Sequence, residues 1–262
     1  MEQADMHLGR PVVRAGLTLF PVFNGRAVAT RGYDVHSPSV DVRERPDGPL
    51  VTELVMTNSG TRPALVLEGE LLEGGWQHRV VARSAVVEPG VATVLEVRCV
   101  EQRRWQGGHR HERGGRCAPV SVRAAGDQGQ VWERVGRYGT SSTGSLLETA
   151  RGREEAAAAL VRDLRPRAFQ SGVLIGIGGQ PVLVEVFDSP RTLAQVWGRL
   201  VHAAAIDAVG APAVETPGRR ARRFVQRVER RYPAYARVAV LGWRGRAIHT
   251  VAVNPRHELV TA

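Results

Sequence analysis

The chain contains no lysine: all 36 of its basic residues are arginine. Against 26 acidic residues they leave a formal charge of +10, which invites a polyanionic partner, because clustered cations gain affinity by releasing counterions from phosphate. The exclusive use of arginine, beside abundant Ala, Gly and Val, reads instead as the imprint of GC-rich coding, and nucleic acid is discounted as a partner. Cysteine is nearly missing too. Cys99 and Cys117 are the only two, which gives no disulfide framework and fits a reducing compartment. No apolar run approaches the roughly 18 residues that a membrane-spanning helix needs, and residues 1–10 hold no apolar stretch of the signal-peptide kind. The expectation is a cytoplasmic protein with no membrane partner.

What is present is ordinary for a folded chain: 43% hydrophobic and 24% charged residues in 262, enough for one large domain or two small ones. Short apolar runs with period two dominate the first half. Leu17–Phe23 reads as a strand that Pro21 places at an edge or bulge. Residues 50–57 read as a strand joined through Asn58-Ser59-Gly60 to a second over 62–72 in a hairpin-type connection, and residues 77–87 and 91–100 read as two more around Glu88-Pro89-Gly90. Residues 106–116, with paired glycines and His109 and His111, read as an exposed loop before a further strand over 119–124. This spacing predicts an antiparallel β-rich sandwich or barrel through residue 125.

From Gln128 the period lengthens to about 3.6. A short helix is predicted over 131–137 and a longer one after the hydroxyl-rich loop 139–144, ended by Pro166. That loop reads either as a helix cap or as an anion cradle. A hairpin follows around Gly178-Gly179, then a helix capped by Ser189-Pro190. Residues 217–232 form an amphipathic helix whose outer face is arginine, a solvated face or a docking surface for phosphate or an acidic partner. A last hairpin turns over Trp243-Arg244-Gly245. The whole is α+β: an N-terminal β-rich half, 1–125, and a C-terminal half of helices with β-hairpins, 126–262, as separate domains or one continuous core.

The polar residues in places where the pattern calls for interior strands lie between Glu68 and Trp105. Glu70 and Glu101 are the candidate catalytic acid and base, since paired carboxylates divide that work when their surroundings separate their pKa values. Gly74, Gly75, Gln77, Arg79, Arg104 and Trp105 are the candidate ligand-binding residues: arginine grips phosphate through its planar fork, and glycine lets a backbone come close. Cys99 is read as a structural cysteine, because no histidine stands at a nucleophile's partner position. His109, His111 and Cys117 fit no standard metal spacing, so no metal is expected. No cofactor is indicated.

The run G-E-L-L-E-G-G-W-Q-H-R over 69–79, followed by C-V-E-Q-R-R-W over 99–105, resembles a bacterial family named for its genomic association with ADP-ribosylglycohydrolases and rhodanese-phosphatase superfamily proteins. The family pattern is G-E-x-L-x-G-G-x-Q-N-R and then C-V-E-Q-G-R-W. His78 stands where the family has asparagine and Arg103 where it has glycine, which touches any hydrogen bond that needs an amide at 78 and the turn after Cys99. The resemblance implies a nucleotide-like or ADP-ribosyl small-molecule ligand. The alternative is a non-catalytic binding or scaffold module in which the Glu/Gln/Arg cluster is a closed polar network that fixes strand register. Nucleic-acid binding through the arginine helix is the lower alternative.

Overall fold

The computed structural model describes residues 5–261, which form two compact units. In chain order the strands are β1 (Met6–Leu8), β2 (Val12–Arg14), β3 (Leu17–Asn24), β4 (Asp34–Val35), β5 (Val40–Arg43), β6 (Glu53–Asn58), β7 (Ala64–Val66), β8 (Glu70–Gly74), β9 (Arg79–Val81), β10 (Ala85–Val87), β11 (Thr93–Cys99) and β12 (Arg110–Cys117). There follow α1 (Val120–Arg123), α2 (Gln128–Gly136), α3 (Leu146–Thr149), α4 (Arg151–Val161), β13 (Gly172–Ile177), β14 (Gln180–Phe187), α5 (Pro190–Ala208), α6 (Gly218–Glu229), β15 (Arg237–Trp243), β16 (Arg246–Val253) and α7 (Glu258–Thr261).

One unit is Gly32–Glu154. Six of its strands close into a barrel in the order β11-β6-β5-β12-β8-β9, so the expected sandwich or barrel is a closed barrel. Closure leaves no unpaired edge, and alternate residues of each strand fill the interior. Val42, Leu54, Met56, Leu72, Val81 and Leu95 are among those that pack there, each at most 1% exposed. A small sheet, β10-β7-β4, adds Ala64, Val66 and Val87 to the same core. Two expected features change here. Asn58-Ser59-Gly60 does not make a hairpin, because β6 pairs with β5 and β11 while β7 joins the small sheet; Asn58 spends its amide on the carbonyls of Arg62 and Val87 instead. The strand expected over 119–124 is the short helix α1 between its caps Pro119 and Ala124, and Val120, Ser121, Val122 and Arg123 are all buried, so no period-two or helical contrast marks the segment.

The other unit takes the chain up to Arg31 and again from Glu155. Its sheet has the order β1-β3-β13-β14-β16-β15, with β2 also on β3. The N-terminal strands therefore share a sheet with strands of the C-terminal half, where a division was expected at residue 125: β13 pairs with β3 from Gly172–Val22 to Ile177–Leu17. Such a pairing joins strands about 150 residues apart, which local pattern does not report. α6 buries Ala221, Phe224, Val225 and Val228 against Phe20, Val22, Leu174, Val184 and Val186 of this sheet. Ser189 caps α5 by accepting from the Arg191 amide, with Pro190 at the first position, as expected. Among the described residues no helix is long and apolar enough to cross a membrane.

Candidate functional site

Register places the site. Cys99 lies opposite Arg79, Arg79 opposite Leu72, and Leu72 opposite Arg113, so these four form a row across β11, β9, β8 and β12. Directly opposed residues share a face. Leu72 is in the barrel core, so the row faces inward. Two residues along, His111 lies opposite both Gly74 and Val42, and Glu44 follows Val42 on the same side. One end of the barrel interior is thereby polar.

Arg79 is its centre and is wholly buried. Its Nη1 donates to Gln77 Oε1 at 2.9 Å, while Nε and Nη2 are buried and meet no hydrogen-bond acceptor among the described residues. Burial pulls its guanidinium below the ordinary arginine range, against the opposing pull of Cys99, Glu44 and Glu101. Glu44 is sealed in beside it, its Oε1 accepting from the Trp76 amide at 3.0 Å and facing His111 Nε2 at 3.0 Å. Burial raises the Glu44 carboxyl, but those two partners and the Arg79 charge outweigh it and hold the group below the usual range. Glu44 Oε2 and His111 Nδ1 are buried without a hydrogen-bond partner among the described residues. Burial pushes the Cys99 thiol up, and its sulfur accepts from the Glu101 amide at 3.3 Å.

Glu101, Gln77, Arg104 and Trp105 gather around Arg79, as the sequence suggested. Gln77 donates to the Glu101 carbonyl at 3.0 Å. Glu101 Oε2 accepts from the His78 amide at 2.9 Å and from Arg104 Nη2 at 2.6 Å. Burial raises this carboxyl too, yet Arg104 and the His78 amide bring it below the ordinary value. Arg104 also donates to the carbonyls of Gly75 (2.8 Å), Gln106 (2.9 Å) and Gly74 (3.2 Å), so it clasps two loops. Trp105 is 46% exposed, with its ring edge-on to Trp76 at 5.6 Å and 5.9 Å from the Arg79 guanidinium carbon.

Glu70 is placed elsewhere. Arg113 grips it through Nε at 2.6 Å and Nη2 at 3.2 Å, in an ion pair almost without exposure. Glu73 is held in the same two-pronged way by Arg116. The candidate acid and base thus sit in two different ion pairs. The glycine pair also serves the interior: at Gly75, with φ of +55°, a Cβ would run into the His111 ring.

Glu44 was not among the expected site residues, and His111 was weighed only as a metal ligand. The loop expected over residues 106–116 is largely strand, because β12 runs over Arg110–Cys117, and His111 is buried between β8 and β5. A β-bulge between Arg113 and Cys117 absorbs the glycines that made the segment read as a loop. Glu44 carried a signal: in Val40-Asp41-Val42-Arg43-Glu44 the alternation that turns both valines inward turns the carboxylate inward as well. His78 replaces the family's asparagine without loss of an acceptor, because its Nδ1 accepts from the Gly74 amide at 3.0 Å. In the 139–144 loop Ser141 Oγ accepts from the Ser145 amide, a local satisfaction of the kind a cap provides.

Neither the curated proteins nor the solved structures yield a match. The model of the ARG and Rhodanese-Phosphatase-superfamily-associated Protein domain matches residues 5–258, nearly the whole chain, and the chain belongs to that family.

Proposed function

We propose that the polar end of the barrel binds a small phosphorylated ligand of the nucleotide-like or ADP-ribosyl class. One observation carries the reading. In Arg113 and Arg116 the Nε and Nη2 atoms form the fork that holds a carboxylate, and in Arg79 the same two atoms are buried and unpartnered. A buried guanidinium fork fits an oxyanion, and two parallel charge-assisted bonds offset the cost of its burial. Glu44 Oε2 is an unpartnered acceptor in the same polar end, suited to a sugar hydroxyl. The half-exposed Trp105 ring offers a flat surface to a base.

The proposal is one of binding and assigns no reaction. In it Glu101 and Arg104 are positioning residues that hold the 74–78 turn, and Gly74 and Gly75 shape that turn. The reading as a closed structural network draws its support from this part, where every bond named for Arg104 ends within the chain.

Thermal-shift and calorimetric titration with ADP-ribose, NAD, AMP and ribose 5-phosphate separates the two readings, since a ligand bound only by the folded state raises the midpoint. The expected result is a rise with phosphorylated ligands, lost in Arg79→Met. Trp105→Ala weakens the nucleotides and leaves ribose 5-phosphate unchanged. If no phosphorylated ligand moves the wild-type midpoint, the polar end is a structural network.

A further inference from the structure

In the unit that holds the open sheet, the arginines of α6 and β15 have no part in the reading above. Eight of the 36 arginines fall within residues 218–237, with Glu229 the single acid there, where an even spread would place about three. Coding bias explains arginine in place of lysine but not this clustering. α6 turns its apolar residues to the sheet and leaves Arg219, Arg220, Arg222 and Arg223 exposed, with Arg230 exposed at its C-cap. At the end of the sheet, among the described residues, β15 pairs only with β16, so one edge of its backbone lies outside the ladder. Arg231, Pro233, Ala236, Arg237, Val238 and Val240 line a groove of 510 Å³ there. Val238 and Val240, two residues apart, share a face and are half-buried, while Arg231 and Arg237 are exposed. Folded proteins protect such edges with proline, bulges or inward charge; β15 contains no proline, and the register shift in its pairing with β16 lies beyond the groove at Leu241–Gly242.

The charge selects an acidic occupant, and the surroundings decide which kind. Single-stranded nucleic acid needs open aromatic faces on which bases stack. Tyr235, beside the groove, is already stacked with Arg227 at 4.1 Å and with Arg256 at 4.0 Å, and Tyr232, 48% exposed, is a single ring where successive bases need several. A free sheet edge with an apolar floor suits a peptide, which pairs its backbone with the edge and sets alternate side chains into the groove. We propose that β15 takes up an extended acidic peptide as an added strand, with its apolar side chains on Val238 and Val240 and its carboxylates on Arg231 and Arg237.

The test is fluorescence anisotropy of a labelled peptide of alternating valine and glutamate on the full chain at low salt. Binding is expected, and it weakens at least about tenfold when alternate backbone nitrogens of the peptide are methylated. The substitution Arg231→Gln weakens it by about threefold, with the thermal midpoint and the response to ADP-ribose both unchanged. Equal binding of the methylated and parent peptides overturns the added-strand geometry, as does no binding of either. Displacement of the peptide by an oligothymidylate of equal charge at lower concentration makes the surface one for nucleic acid, and self-association that the peptide does not compete with makes it an interface between copies of this chain.

Discussion

Arg79 and Arg113 stand in one row inside the same barrel, two strands apart, and their surroundings differ in one respect. Arg113 closes on Glu70 with two bonds, whereas Arg79 makes one, to a neutral amide. The first is a cross-strand pair of the kind that fixes register. The second is a cation whose burial the chain does not compensate with a direct carboxylate bond. Both arginines follow from one strand alternation, so alternation alone does not distinguish a fold element from a binding group. The partner distinguishes them.

The comparison breaks most visibly at Glu70. Glu70→Ala leaves the Arg113 charge buried without its counter-ion, and chemical denaturation is expected to show a loss of about 3–5 kcal/mol. A loss under 1 kcal/mol would mean that water reaches Arg113 and that the contrast with Arg79 is false. Next in size is Gly75→Ala, which forces a Cβ into His111 at a positive φ. Overpacking together with backbone strain is expected to cost about 2–3 kcal/mol. Arg79→Met has the opposite sign: removing a buried charge that has only an amide partner is expected to stabilise the chain by about 1–3 kcal/mol while abolishing the ligand response. Destabilisation by Arg79→Met would place this arginine with Arg113, among the groups that hold the barrel together.

Much of this contrast was legible in the chain. The motif residues Gln77, Arg79, Glu101 and Arg104 meet because β9 pairs with β11, which are neighbouring runs in the sequence pattern with one short strand between them. Glu70 separates from Glu101 because β12, which supplies Arg113, was hidden among glycines that read as loop. The same error hid His111. Barrel closure brings β5, and Glu44 with it, next to β12, and that neighbour relation lies in the shear of the barrel and in no local run of residues. The joining of β3 to β13 was invisible for a similar reason: an edge-like proline strand at the N-terminus names no partner.

Acid sharpens the comparison least in size but most in resolution. Burial holds His78 below its ordinary value of 6.5, so as pH falls through that value the unfolded chain takes a proton that the folded chain refuses. Stability is then full above the unfolded pKa and declines below it. His257, buried against the Ile177 carbonyl, adds to the same upper step. Glu44 and Glu101 are held below 4.5; their contribution is present above that value and is lost as pH falls through their folded pKa values. Denaturation free energy against pH is therefore expected to fall in two stages. His78→Asn keeps an acceptor for the Gly74 amide and removes one titrating group, so it should act chiefly on the upper stage, and Glu101→Gln chiefly on the lower; because His78 Nε2 lies 3.6 Å from Glu101 Oε2, each substitution also shifts the other stage by a smaller amount. If the two substitutions instead flatten both stages together, His78 and Glu101 titrate as one unit, and the polar end of the barrel is a single coupled network and not an open cation flanked by fixed supports.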